Sequence, residues 1–291
     1  MREQDVALWN EGDQAWEAGD WARAGRVFAD LAARNPGDAN EAAWWFNAAL
    51  AHKNLRDWPS ALELGRRAAA LVEPGTGEPA FWNLGIAATA LRDWATARQA
   101  WIDFGIDGID PGEDSLEGYF GPVCIRLDPA TTGEVVWGRR ICPTRAVVLN
   151  VPMACDRRFG DVILHDGVPD GERVLNGHPV PVFDEIEVWQ RSELPTWAVE
   201  VSAPDASDHE ALHKLFASGK WGVEAGSAMN IICECCSHGS LAVRRTVPTG
   251  TRTMWLAAPA DVARDLLARW RDEAPDRRTV GKLHTISAPS A

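Results

Sequence analysis

The 291-residue chain reads as an α+β multidomain protein, with an amino-terminal helical array, then a β-rich region, then an α/β region. Three observations predict this. An Asp-Trp pair recurs in Gly19-Asp20-Trp21, Arg56-Asp57-Trp58 and Arg92-Asp93-Trp94, at intervals of 37 and 36 residues. Past Pro111 the apolar spacing changes from the helical period to alternation, in short runs separated by Asp, Gly and Pro. From Thr196 onward, alternating and helical segments succeed one another in the order βαββαβ. The expected divisions are 1–112, 113–192 and 193–291, with the turn-rich run Gly105–Gly112 at the first junction.

The Asp-Trp pairs have companions at matching positions. Gly12, Ala49 and Gly85 place a small residue in each first helix, and Ala24, Ala61 and Ala97 fall three residues past each Trp. Leu8, Trp45 and Phe81 are the large apolar residues that open the first helices. Phe28 and Trp101 are the aromatic residues of the second helices, where repeat two departs with Gly65. Pro36, Pro74 and Pro111 follow the three repeats. The period and these positions resemble the tetratricopeptide repeat family over residues 3–110. That resemblance implies three stacked helical hairpins whose inner face binds a peptide or protein.

Asn10, Asn47 and Asn83 share one repeat position on the first helices. In the family resembled, an Asn there commonly holds the backbone or terminal carboxylate of a bound peptide. An amide suits this task because it both donates and accepts. Trp9, Trp16, Phe46 and Trp82 are expected beside these Asn, and Lys53 is the only basic residue expected on the same face. So few cations argue against a strongly acidic ligand. The same residues admit a second reading, in which the Asn brace neighbouring hairpins and the aromatics fill the space between helices.

Expected strands in the second region are Val123–Leu127, Glu134–Arg139, Arg145–Val151, Asp161–His165 and Pro181–Trp189, with Asp166–Gly171 as a separating turn. Short strands joined by tight turns predict a small barrel-like sheet. The third region predicts strands at Trp197–Ser202, Met229–Glu234, Thr251–Ala257 and Val280–Ser287, with helices at Ser207–Ser218 and Ala260–Asp272. This succession is what a ferredoxin-like sandwich needs.

Two constellations could carry chemistry. Cys233, Cys235, Cys236 and His238 are soft ligands that suit zinc, although their spacing matches no standard knuckle and a further ligand would have to come from elsewhere. The competing reading makes these cysteines small apolar core residues. The second constellation gathers Arg157, Arg158, Asp161, His165 and Asp166, a His with carboxylates for base chemistry but with no nucleophile nearby. Turn and rim duty is the favoured reading of these residues. Phosphate loops, dinucleotide fingerprints and nucleophile elbows are absent from the sequence.

The formal charge of -13 divides almost evenly, about -7 in residues 1–112 and about -6 beyond, so neither half has the basic footprint that nucleic acid or anionic lipid requires. The amino terminus lacks a secretory pattern, which predicts a cytoplasmic protein with reduced cysteines. The expectation is therefore an interaction protein of adaptor, immunity or antitoxin type, and its Ala-, Arg- and Trp-rich composition fits a bacterial source. The alternative is a zinc-binding enzyme or sensor that uses the Cys233–His238 cluster.

Overall fold

In the computed structural model, which describes residues 3–131, 133–153, 155–175, 177–225 and 250–287, each Asp-Trp pair starts a helix. Asp20, Asp57 and Asp93 are the N-caps of α2 (Trp21–Arg34), α4 (Trp58–Ala69) and α6 (Trp94–Phe104). Their carboxylates accept from the backbone N–H of Arg23, Ser60 and Thr96, satisfying one of the donors that every helix start leaves open. The residue before each cap, Gly19, Arg56 or Arg92, has a φ of 69°, 57° or 61°. This left-handed turn reverses the chain, so α1 (Glu3–Glu17), α3 (Glu41–Asn54) and α5 (Pro79–Ala90) each pack on the helix that follows.

The small-residue positions mark where the helices of a hairpin meet. A Cβ added at Gly12 would lie 3.1 Å from the Phe28 ring, and one at Gly85 only 2.5 Å from the Trp101 ring. The ring of the second helix therefore rests on bare backbone of the first, and Phe28 and Trp101 are buried. Repeat two changes both members together: Ala49 stands where the others have Gly, and Gly65 where the others have the ring. With no ring to receive, a methyl fits at Ala49, and Gly65 instead admits Leu84 of α5 to 3.5 Å from its Cβ position. The six helices lie within one unit, Met1–Glu117, and the remaining elements within a second, Gly118–Ala291.

The second unit contains two sheets. Strands β1 (Pro122–Leu127), β2 (Glu134–Cys142), β3 (Arg145–Val148), β4 (Val162–Leu175) and β5 (His178–Gln190) pair antiparallel in sequence order. Strand β5 also pairs in parallel with β1, Cys124 opposite Val182, so the ladder returns to its first strand. Val123, Ile125, Leu127, Val136, Ala146 and Ile163 fill its core. The run Asp166–Gly171, expected as a turn, is carried inside β4. Its register against β5 breaks between Val162 and Ile163, between Leu164 and His165, again before Pro169 and again before Glu172. Pro and a left-handed Gly171 interrupt the pairing without ending the strand.

The second sheet comprises β6 (Thr196–Ala203), β7 (Gly222–Ala225), β8 (Gly250–Ala257), β9 (Thr279–Val280) and β10 (His284–Ser287). Its order is β10-β6-β8-β7 with β9 on β6, and every pairing is antiparallel. Helices α7 (Ala206–Ser218) and α8 (Ala260–Asp272) pack Leu212, Phe216, Leu266 and Trp270 against Val199, Val201, Met254 and Leu256. The expected strand at Met229–Glu234 lies outside the described residues. The single strand expected over Val280–Ser287 is two pieces, broken where Gly281 donates its N–H to the Glu200 carbonyl at 2.8 Å.

Candidate functional site

On α1 the inward stripe is half-buried Leu8 with buried Gly12 and Ala15, against α2. The neighbouring stripe is Val6, Trp9, Asn10, Asp13 and Glu17, spaced three or four residues apart and therefore on one side of the helix. It faces outward: Val6 and Trp9 are each 40% exposed, and Asn10 and Glu17 are exposed as well. The matching stripe closes along the array. On α3 Phe46, Asn47 and Leu50 are half-buried, and on α5 Trp82 and Asn83 are half-buried and Ile86 fully buried. The accessible part of the first-helix layer is thus its repeat-one end.

The sequence-derived site residues divide accordingly. Trp9 and Asn10 are free to meet a partner, and Phe46 and Asn47 are partly so. Lys53 is buried and donates to the Asn83 side-chain oxygen at 3.2 Å, joining α3 to α5, so this pair braces two hairpins. Trp16 packs edge-on against Trp21 at 4.9 Å and Phe28 at 6.3 Å. Trp82 does the same between Trp101 at 5.1 Å and Phe104 at 4.9 Å. These two indoles pack against the second helix of their own hairpins. Sequence reasoning missed Val6, Asp13 and Glu17, which the three- and four-residue spacing from Trp9 and Asn10 would have found.

The His165 constellation is dispersed by the fold. His165 is fully buried, stacked on Phe183 with ring centroids 5.0 Å apart. Its Nδ1 lies 2.7 Å from the Asp166 carbonyl, which can only accept, so Nδ1 carries the proton. Burial pushes its pKa down to about 4, with the Asp166 carbonyl opposing the fall and Arg140 adding to it. Asp161, also buried, accepts from the backbone N–H of Arg158 at 2.8 Å and of Ser192 at 2.7 Å. Burial raises its pKa against those two hydrogen bonds. Arg157 pairs with Glu185 at 2.8 Å and with Asp156. Arg191 bridges Asp156 and Asp161 at 3.0 and 3.5 Å, so Arg157 and Asp161 share one ion-pair network while His165 bonds apart from it.

Cys233, Cys235, Cys236 and His238 lie outside the described residues. Among the described residues, no group of three or more His, Cys, Asp and Glu side chains could hold a metal ion. Nor is any described helix long and apolar enough to cross a membrane.

No protein-family model matches the chain, and no curated protein matches it. Among solved structures it is similar to one described as the "TPR2B-domain:pHsp70-complex of yeast Sti1", at 20% identity and a TM-score of 0.30. The match covers 35% of this chain and 78% of that one. The run of six amino-terminal helices fits tetratricopeptide-like repeats.

Proposed function

We propose that the chain is a protein-interaction protein that takes an extended peptide segment of its partner along the first-helix layer of its amino-terminal unit. The observation that carries this reading is the outward stripe of Val6, Trp9 and Asn10, continued by Phe46 and Asn47. It is an apolar and amide-bearing surface, open at Val6, Trp9 and Asn10 and half-covered at Phe46 and Asn47. Aromatic residues supply contact area at small entropic cost, and the Asn amides match a peptide main chain. An adaptor or an immunity protein would use such a surface. Beyond the array we read two further bodies, a small five-stranded barrel over 113–192 and a ferredoxin-like sandwich over 193–291. The strand order β10-β6-β8-β7, with both helices over one sheet face, supports the second of these.

The test is selection of a display library of random short peptides on the full chain. The recovered peptides are expected to lose binding to the Trp9→Ala/Asn10→Ala/Asn47→Ala variant, with its helical circular dichroism unchanged. Peptides that bind the variant as well as the parent, or a selection that recovers none, would overturn the reading.

A further inference from the structure

Charge is segregated between the two layers of the array. The first helices carry six carboxylates and one Lys, whereas the second helices carry six Arg and three carboxylates. The single Lys of the first-helix layer, Lys53, is buried against Asn83, so this layer presents no exposed Lys or Arg among the described residues. A peptide carboxylate meeting it would find no cation.

The carboxylates are not equivalent. Glu11 pairs with Arg23 of α2 at 3.0 Å. Glu41 is taken up by the Gly37 N–H at 2.6 Å and the Trp45 indole at 3.2 Å. Asp13 and Glu17 have no ion-pair partner among the described residues. They stand four residues apart on the outward stripe, with Asp13 four residues from Trp9, so both lie on the side of α1 where that indole is 40% exposed. An indole face attracts a cation within about 6 Å, and flanking carboxylates hold the same cation by Coulomb attraction and hydrogen bonds. An apolar surface bearing such a group selects its ligand by sign of charge more than by area.

We infer that the occupant of this face is a basic peptide segment, whose Lys or Arg side chain lies over Trp9 and is held by Asp13 and Glu17 while neighbouring apolar residues run toward Phe46. This inference rests on the peptide-binding reading above and adds the charge of the ligand to it. Guanidinium suits the position better than ammonium, because it stacks flat on an indole and still offers N–H groups at its edge to both carboxylates.

The same random-peptide display, run on the full chain, tests it. Recovered peptides are expected to be enriched in Arg and Lys beside apolar residues, and their affinity to fall as salt is added. The Asp13→Asn/Glu17→Gln variant should bind them about tenfold more weakly and lose the salt dependence, as should Trp9→Ala for the Arg-bearing peptides. Peptides recovered without charge bias or rich in acid, or basic peptides that bind Asp13→Asn/Glu17→Gln undiminished, would overturn the charge assignment while leaving peptide binding intact. Recovery of no peptide would overturn both.

Discussion

The two units of the molecule place their polar groups differently. In the helical unit the recurring polar residues serve neighbours: Asp20, Asp57 and Asp93 each bond a backbone group three residues on. In the second unit buried polar groups take partners from far along the chain. Asp208, 1% exposed on α7, holds Arg277 and Arg278, separated from it by 69 and 70 residues. Its carbonyl also receives the Trp270 indole. Arg126 of β1 is fixed by Asp170 and Asp184, 44 and 58 residues later. A helical hairpin can form its joints as it folds, whereas the sheet unit secures its chain end and its bulged strand only when distant charges meet.

The sharpest way to break this contrast is Asp208→Ala. The change leaves Arg278, buried beside Trp270, with only the exposed Glu273 as a carboxylate partner, and losing the buried member of such an ion pair costs about 3 kcal/mol. Urea unfolding should show that loss in the second unit, with the helical unit's transition unmoved. Arg277 is the first cause that holds the Asp208 carboxyl below the usual range. Its stabilising effect is thus present above the ordinary carboxylate pKa and disappears as pH falls through the lowered one. An Asp208→Ala chain that kept the parent's midpoint would show that α8 and the following strands are held by apolar packing alone.

This difference decides how much was legible in advance. The three hairpins were legible because cap, turn and small residue lie within one repeat and recur with it. Most described strands of the second unit were legible from alternation, though the short β7 was not, and the two late helices were legible from their periodicity. Asp166–Gly171 reads as a turn, since nothing local reveals that β5 runs beside it and keeps β4 extended through four breaks in register. The candidate face was half legible: Trp9 and Asn10 emerge exposed, but the burial of Lys53 on Asn83 depends on how α3 meets α5. The spacing within one helix cannot show that approach. The separation of His165 from Arg157 and Asp161 has the same origin, because Arg157 and Asp161 take Glu185, Arg191 and Ser192 as partners while His165 turns to Phe183.

His165 offers the next contrast. An imidazole in an unfolded chain titrates near 6.5, while this one is held neutral down to about 4 by burial. Between those values the unfolded state binds more protons. The stability that depends on the neutral ring is complete above about pH 6.5 and is lost as pH falls toward 4, by up to about 3 kcal/mol. In a His165→Phe chain, where a ring can still stack on Phe183, the urea midpoint should be flatter between pH 7 and 5 than in the parent. Equal slopes for the two chains would mean that other groups set the acid response of this unit.

The smallest expected effect separates packing from helix propensity inside the array. Alanine exceeds glycine as a helix former by about 1 kcal/mol, so propensity alone makes Gly85→Ala stabilising. Packing argues the reverse. The new methyl would stand 2.5 Å from the Trp101 ring, which is fully buried and has nowhere to withdraw. Overpacking of this kind costs about 1–3 kcal/mol, enough to cancel the propensity gain and exceed it. Repeat two supplies the control, since Ala49 already carries the methyl opposite Gly65 and no ring lies above it. Ala49→Gly should therefore destabilise by about 1 kcal/mol through propensity and the lost methyl contacts. Combining Gly85→Ala with Trp101→Leu should cost less than the sum of the two single changes, because the smaller side chain relieves the clash that the methyl creates. Additive losses in thermal melts would show that the glycine and the ring do not act as a pair. The departure of repeat two from the pattern would then need another cause than the exchange of a ring for a methyl.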